Sequence, residues 1–469
     1  MKRVTALAIL PLLLQVTSGF LFGITYTDIC DSLCRCPGDI LQARNEALDC
    51  RDRNITSLPD NIVFPDEVTR VDFTRNRIES IATGTFSNNE KLLSVDFSDN
   101  DVRILPEWAF RYLPLLQYLS FKNNKLTDIH EKAFAGLANL TTLDLSYNEL
   151  TTLPKDVFAL LPSLQELILN FNSLTHVDEI SLHQNAALRT LHLSSLGIRT
   201  LHPHFIPRNL TKLSKVSLAF NDMTEIPAKA LHHIKDSLED LDFSGNPIKD
   251  LGAYSFYGLS NLKTLRLDQM LKLETIDAFA FGDLVHLETC TLRYLPKISY
   301  VDEMAFYGNK NGTKKPIVVQ DFTFSFSVLS TLPEKLLDWS ELRYVNLRYN
   351  KWRCDCNMKW IKNSSLLELT GSKMVCSSPS SLRGKKLTDI PAEQMTCSRP
   401  EVEVTSNQSL GIIIGVLIAG IGVSLATVAL LVYWRQGWLF VRPQGSYVHI
   451  QRGAEEITVI EDVEMDTGN

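Results

Sequence analysis

One hydrophobic frame recurs along most of the chain. From Val68 it reads apolar, two variable, apolar, one variable, apolar, two variable, Asn, one variable, apolar. Residues 92–102 (LLSVDFSDNDV) and 140–150 (LTTLDLSYNEL) show it clearly. Units begin at Val68, Leu92, Leu116, Leu140, Leu164, Leu188, Leu213, Leu238, Leu262, Leu287, Val319 and Leu342. The steps are 24 or 25 residues, apart from 32 across the Gly308–Pro316 insertion and 23 into the last unit. A fixed period of this length is the mark of a stacked repeat architecture, in which neighbouring units bury one another's apolar faces.

Each position in the frame has a physical role. The central apolar pair lies on a short strand, where a side-chain period of two turns both inward and leaves the intervening residue outside. Asn76, Asn100, Asn124, Asn148, Asn172, Asn221, Asn246 and Asn350 follow the strand, where a buried amide can satisfy turn backbone groups. A later aromatic recurs as Phe86, Phe110, Phe134, Phe158, Phe205, Phe256, Phe281 and Phe306, predicting an apolar spine on the convex side. The frame slips at Leu196, Met270, Leu295 and Ser327, which replace the Asn and predict local irregularity.

Two further apolar runs lie outside the repeats. Lys2 and Arg3 precede an uncharged run from Val4 to Leu14, and Thr17, Ser18 and Gly19 follow. That three-part pattern predicts a secretory signal peptide over 1–19. Residues 411–433 carry no charge, and Arg435 closes the run. Helical geometry stretches a segment of that length to roughly 34 Å, enough for a hydrocarbon core of about 30 Å. Tyr433, Trp434 and Trp438 suit the membrane interface, and Arg435, Arg442 and Arg452 place the tail in the cytoplasm. The expected product is a single-pass type I protein of the plasma membrane with its N-terminus outside. Gly411, Gly415 and Ala419 stand four apart, a spacing that lets two spans pack as a homo- or hetero-dimer, although Gly and Ala are common in spans generally.

An exported chain changes how its cysteines and asparagines are read. Cys30, Cys34, Cys36 and Cys50 precede the first unit, and Cys354, Cys356, Cys376 and Cys397 follow the last. Such clusters read as disulfides, which would close the open ends of the stack. Cys290 is left over; it occupies an inward position and is expected to be a buried small hydrophobe. Sequons at Asn54, Asn139, Asn209, Asn311, Asn363 and Asn407 predict glycosylation.

The repeat frame and the two cysteine clusters together resemble the extracellular leucine-rich-repeat proteins with cysteine-rich N- and C-terminal caps. The stretch from Asn350 through Trp352, Cys354 and Cys356 to Trp360 is similar to the opening of their C-terminal cap. The resemblance covers roughly residues 30–397. It implies an α/β-type leucine-rich-repeat solenoid, a horseshoe with a concave parallel sheet, capped by Cys30–Cys36, Cys34–Cys50, Cys354–Cys376 and Cys356–Cys397. Domain order is then signal peptide 1–19, N-terminal cap 20–67, repeats 68–352, C-terminal cap 353–398, stalk 399–410, transmembrane helix 411–434 and disordered cytoplasmic tail 435–469.

Candidate chemistry points to binding. The net charge of −7 does not suggest a nucleic-acid partner. His192, His202, His204, His232 and His233 fall at different repeat phases, which predicts separate surface histidines on different faces, not a metal site. No catalytic constellation, cofactor motif or metal motif stands out, so the chain reads as a non-enzyme without cofactors. The column just before the Asn carries exposed aromatics, of which Tyr147, Phe171, Phe220, Tyr294 and Tyr349 are the candidate ligand contacts. Covering the lip of the Asn turn is an equally good account of them. Acids cluster early on the strands (Asp72, Asp96, Asp144) and arginines late (Arg266, Arg293, Arg343, Arg348). In the tail, Tyr447 and Ile450 have the form of an endocytic sorting signal, a short pattern that also arises by chance, which would recruit cytoplasmic adaptors. Expected partners are an extracellular protein ligand or co-receptor, in an adhesion or co-receptor role. The alternative is an auxiliary subunit modulating a channel or receptor through its span and tail.

Overall fold

The computed structural model describes residues 29, 32–35, 47–65, 67–310, 313–370 and 373–397. The chain divides into Met1–Cys397 and Ser398–Asn469, and all of these residues belong to the first unit. The signal peptide, Cys30, Cys36, Asn311, Asn407, the stalk, the apolar run 411–434 and the tail with Tyr447 and Ile450 lie outside the described residues. Among those described, no helix is long and apolar enough to cross a membrane.

Each repeat contributes one short strand to a thirteen-stranded sheet whose neighbours pair in chain order, all parallel. The sheet runs from Ala47–Asp49 to Tyr344–Asn346. The strand Ala47–Asp49, which precedes the recurring frame, adds one more than the twelve the frame predicts. Register is set by the inward residues: Leu48 lies opposite Val71, Val71 opposite Val95, and Leu265 opposite Cys290. A one-residue slip would turn this whole row out to solvent, so burial fixes the pairing.

The buried amides tie each turn to the next. Asn124 Nδ2 donates to the carbonyls of Phe97 (2.8 Å) and Phe121 (3.1 Å), while its Oδ1 accepts from the Val102 amide at 3.0 Å. Asn100 and Asn172 repeat the pattern one unit before and two units after. Where Ser327 replaces the Asn, its hydroxyl still accepts from the Leu295 amide at 3.0 Å and donates to the Ser325 carbonyl at 3.1 Å. The irregular units therefore stay in the stack. All eight recurring phenylalanines are buried, and Phe256, Phe281 and Phe306 stack with centroids 5.7 and 4.2 Å apart. A second row runs beside them through Phe73, Phe97 and Phe121, spaced 5.2 and 5.1 Å. Cys290 is fully buried in the same core, and burial pushes its thiol pKa up.

The α/β description needs correction on the convex side. The returning segments are mostly turns, with short two-residue strand ladders such as Asp250–Leu251, Thr275–Ile276 and Tyr300–Val301. Within the repeats the one α-helical turn described is Ala228–Leu231, continued by a 3-10 turn over His232–Ile234. A unit of 24 residues must fit a strand, the Asn turn and the return, which leaves little length for a helix that needs several turns to be stable. The insertion folds as an antiparallel hairpin, Tyr307–Lys310 with Thr313–Pro316.

Disulfides join Cys34 to Cys50, Cys354 to Cys376 and Cys356 to Cys397. At the C-terminal end Trp352 is buried and donates Nε1–H to the Leu347 carbonyl at 3.0 Å. Trp360 donates to the Leu332 carbonyl at 3.1 Å and packs on Trp339 at 5.5 Å. These rings cover the apolar end that a stack of repeats would otherwise expose.

Candidate binding surface

The aromatic column acquires its geometry from the turn. Arg75, Asp99, Asn123, Tyr147, Phe171, Ser195, Phe220, Gln269, Tyr294, Phe326 and Tyr349 all have φ between 54° and 59°, with Gly245 at 73°. This left-handed conformation ends each strand and turns the chain into the Asn bonds. The column therefore stands on the lip of the sheet, just past the strands, and not on the strands themselves. A non-glycine residue pays for this conformation, so the Asn ladder and the neighbouring turns must hold it in place.

Tyr147, Phe171, Phe220, Tyr294 and Tyr349 are each more than two-fifths exposed. They form groups, not one line. Tyr147 stacks on Phe171 at 4.2 Å, and the Lys122 ammonium stands 5.7 Å over the Tyr147 ring. Ser195 interrupts the row. Phe220 then lies against Gly245, where a Cβ would collide with its ring. Gln269 makes a second break, after which Tyr294, Phe326 and Tyr349 stack at 4.7 and 4.5 Å. Phe326 is also exposed and completes this group, although it is not among the five ligand contacts expected from the sequence. Its membership of the same column was the available signal.

The strand residues facing out add charge, much of it already paired. Arg266 meets Asp240 at 2.5 Å, Arg293 meets Asp268 at 2.6 Å, and Arg343 approaches Asp321 at 3.9 Å. The late arginine bias is thus largely neutralised by acids one unit earlier. At the early end Arg51 bridges Asp49 (2.9 Å) and Asp72 (3.4 Å), and its hydrogen bond holds the Asp49 carboxyl below the usual range. Asp96 goes the other way: burial raises its pKa, against two bonds from Ser98 that lower it. Tyr118 beside it is raised by burial and by the neighbouring acids.

A shallow depression of about 300 Å³ on the sheet is lined by His192, Lys215, Ser217, Asp240, Asp242 and Arg266. His192 pairs with Glu166 at 3.5 Å, while the Ser217 hydroxyl bonds Ser194 at 2.6 Å. The serine hydroxyl and the imidazole thus face different partners. Asp355, Cys356 and Cys397 come close together, but both sulfurs are taken up by their disulfide. The histidines require a correction: His202, His204 and His233 gather in one row, with ring centroids 5.3 and 6.0 Å apart. The helical turn before His233 carries it back over the preceding unit, so unlike repeat phases meet. His232 lies apart against Tyr257 at 6.3 Å, and His192 is on the sheet.

The described sequon residues Asn54, Asn139, Asn209 and Asn363 are exposed. Asn139 and Asn209 each donate a side-chain N–H to a carbonyl one unit back, Pro114 at 2.8 Å and His183 at 2.7 Å. Asn261, which is not in a sequon, makes the same bond to Asp236 at 2.9 Å. The position thus has a structural role in the stack whether or not it carries a sugar.

Comparison with known proteins agrees with the repeat fold. The leucine-rich-repeat family matches residues 66–126, 116–174 and 138–198, and the BspA-type leucine-rich-repeat region matches 203–332. A mouse protein, leucine-rich repeats and immunoglobulin-like domains protein 3, is 34% identical over 77 residues. That stretch is 16% of this chain and only 6% of the mouse protein. Among solved structures, a chain from the octameric complex of latrophilin 3, Unc5D and FLRT2 (LRR) aligns with TM-score 0.52 and 21% identity. It covers 78% of this chain and 99% of that one. The TLR13–ssRNA13 complex aligns with TM-score 0.50 and 21% identity, over 72% of this chain and 55% of that chain. At these identities the structural matches speak to the fold.

Proposed function

The chain belongs to the leucine-rich-repeat proteins, and from that premise we propose that it is a cell-surface recognition protein, without catalysis, that binds an extracellular protein through the sheet and its aromatic lip. The observation that carries this reading is the pair of exposed aromatic stacks, Tyr147 with Phe171 and Tyr294 with Phe326 and Tyr349. Aromatic rings already held rigid lose little freedom on binding, and such residues dominate interface energetics. A similar fold occurs in a solved assembly of latrophilin 3, Unc5D and FLRT2, which supports a protein partner for this chain too. We further propose export by the signal sequence, glycosylation at the sequons, a type I span over 411–434, and a tail whose Tyr447 and Ile450 engage cytoplasmic adaptors.

The test is a binding screen with the full chain displayed on cells, followed by substitution of the lip. Glycine is the informative replacement, because it accepts the left-handed backbone that these positions require. Tyr147→Gly with Phe171→Gly, and separately Tyr294→Gly with Phe326→Gly, should leave surface display intact. At least one pair should weaken ligand binding by about 2 kcal/mol or more, as expected for hot-spot residues. Lys155→Ala, an exposed residue away from the lip, serves as the control. Unchanged affinity in both paired variants would refute the assignment of the lip. An effect that survives removal of the ectodomain would move the function to the span and tail.

A further inference from the structure

We propose that His202, His204 and His233 form a surface site for a divalent transition metal that prefers imidazole, with Zn²⁺ as the first candidate. His204 stands between the other two, its ring centre 5.3 Å from His202 and 6.0 Å from His233. A zinc ion binds imidazole nitrogen at about 2.0–2.1 Å, which puts neighbouring ring centres of a tetrahedral site roughly 5 Å apart. The His202–His204 separation matches that spacing, and the His204–His233 separation exceeds it by about 1 Å, so a ring must turn inward to close the site.

The tautomers are partly set for ligation. His233 Nδ1 lies 2.8 Å from the Ile206 carbonyl oxygen. A carbonyl can only accept, so Nδ1 carries the proton and Nε2 of the neutral ring keeps its lone pair. Metal-binding histidines commonly donate their second N–H to a backbone carbonyl in this way, which fixes ring orientation. His202 Nδ1 accepts from the His204 amide at a long 3.3 Å and so presents a lone pair held by a weak bond that a metal can replace. The turn is anchored by Asp178, whose Oδ1 accepts from the His202 amide at 2.8 Å. The ring nitrogens do not yet share one coordination sphere. His202 and His204 are exposed, however, and side-chain rotation of exposed residues is fast. His233 is half-buried on the helical turn of the next unit, so a bound ion would clip two successive repeats together. Three imidazoles leave a fourth position for water or a partner's carboxylate.

The experiment is calorimetric titration of the full chain, carried on a tag free of histidine, with zinc chloride at pH 7.5 and pH 5.5. The expected result is one equivalent bound at pH 7.5 and at least tenfold weaker binding at pH 5.5, because protons compete with the metal for imidazole nitrogen. His204→Ala and His233→Ala should each weaken the pH 7.5 binding tenfold or more. His286→Ala, whose ring bonds the Ser260 carbonyl elsewhere on the surface, should leave it unchanged. Circular dichroism of each variant checks that the fold is kept. No binding at micromolar zinc, or an isotherm that His204→Ala leaves unaltered, overturns the site.

Discussion

At the scale of the residue, the amides that follow each strand carry more of the architecture than their size suggests. Asn124 alone satisfies two carbonyls and one amide drawn from two repeats. Asn124→Ala orphans these groups, and each unsatisfied buried group costs about 1–3 kcal/mol. Guanidinium unfolding should show a loss in this range or above, and a variant as stable as the parent would deny the ladder its role. Asp96 gives a prediction of opposite flavour. Burial raises its folded pKa, so the folded state holds this proton more tightly than the unfolded chain does. Its contribution is therefore unfavourable above the folded pKa and absent below the unfolded one. Asp96→Ser installs the hydroxyl that Ser120 supplies in the next unit; asparagine would create a sequon with Ser98 and confuse the readout. Relative to the parent, the serine variant should gain stability at pH 7 compared with pH 4, measured by denaturant midpoints at both values. An equal or reversed difference would show that the side chain is not strained by burial.

At the scale of the element, the sheet and its C-terminal cap depend on each other. The cap brings Trp352 and Trp360 against the last repeats through indole bonds to Leu347 and Leu332, and two disulfides hold the segment that carries them. Cys354→Ser removes one of these covalent ties, and loss of a structural disulfide typically costs about 2–5 kcal/mol. On the export route proposed above, the expected outcome in cells is retention of the protein in the secretory pathway, visible as loss of surface staining with total expression preserved. Normal delivery to the surface would mean that the repeats hold their own end. The cap was readable in part: the cysteine spacing and the run from Asn350 to Trp360 announce it. The first strand of the sheet, Ala47–Asp49, was not, because it lies before the recurring frame and is recruited by pairing with Arg70–Asp72.

At the scale of the whole repeat array, each unit is stabilised by its neighbours, so damage should spread locally before it becomes global. Phe134 packs on Phe158 at 6.3 Å in the middle of the convex spine. Phe134→Ala should cost about 3–5 kcal/mol, the usual price of a buried aromatic truncated to alanine. Limited proteolysis should then cut first in the units around Phe134, while the ends stay protected. Uniform cleavage along the array would indicate that the repeats unfold as one block.

The sequence by itself determined the repeat period, the inward leucines, the Asn ladder and the buried phenylalanines, because a stack of like units imposes the same local demand on every turn. It also placed Cys290 inside, since an inward position in the frame is inward in every unit. Only the tertiary structure decided what depends on distances between units. It grouped Tyr147 with Phe171 and Tyr294 with Phe326 and Tyr349, breaking the row at Ser195 and Gln269. It paired Arg266 with Asp240 and Arg293 with Asp268, cancelling a charge bias that looked free along the chain. It also drew His202, His204 and His233 together from unlike phases, His233 following the helical turn Ala228–Leu231 of the next unit. Periodicity fixes what each position does within its own turn; which side chains on adjacent turns meet depends on the path of the backbone between them.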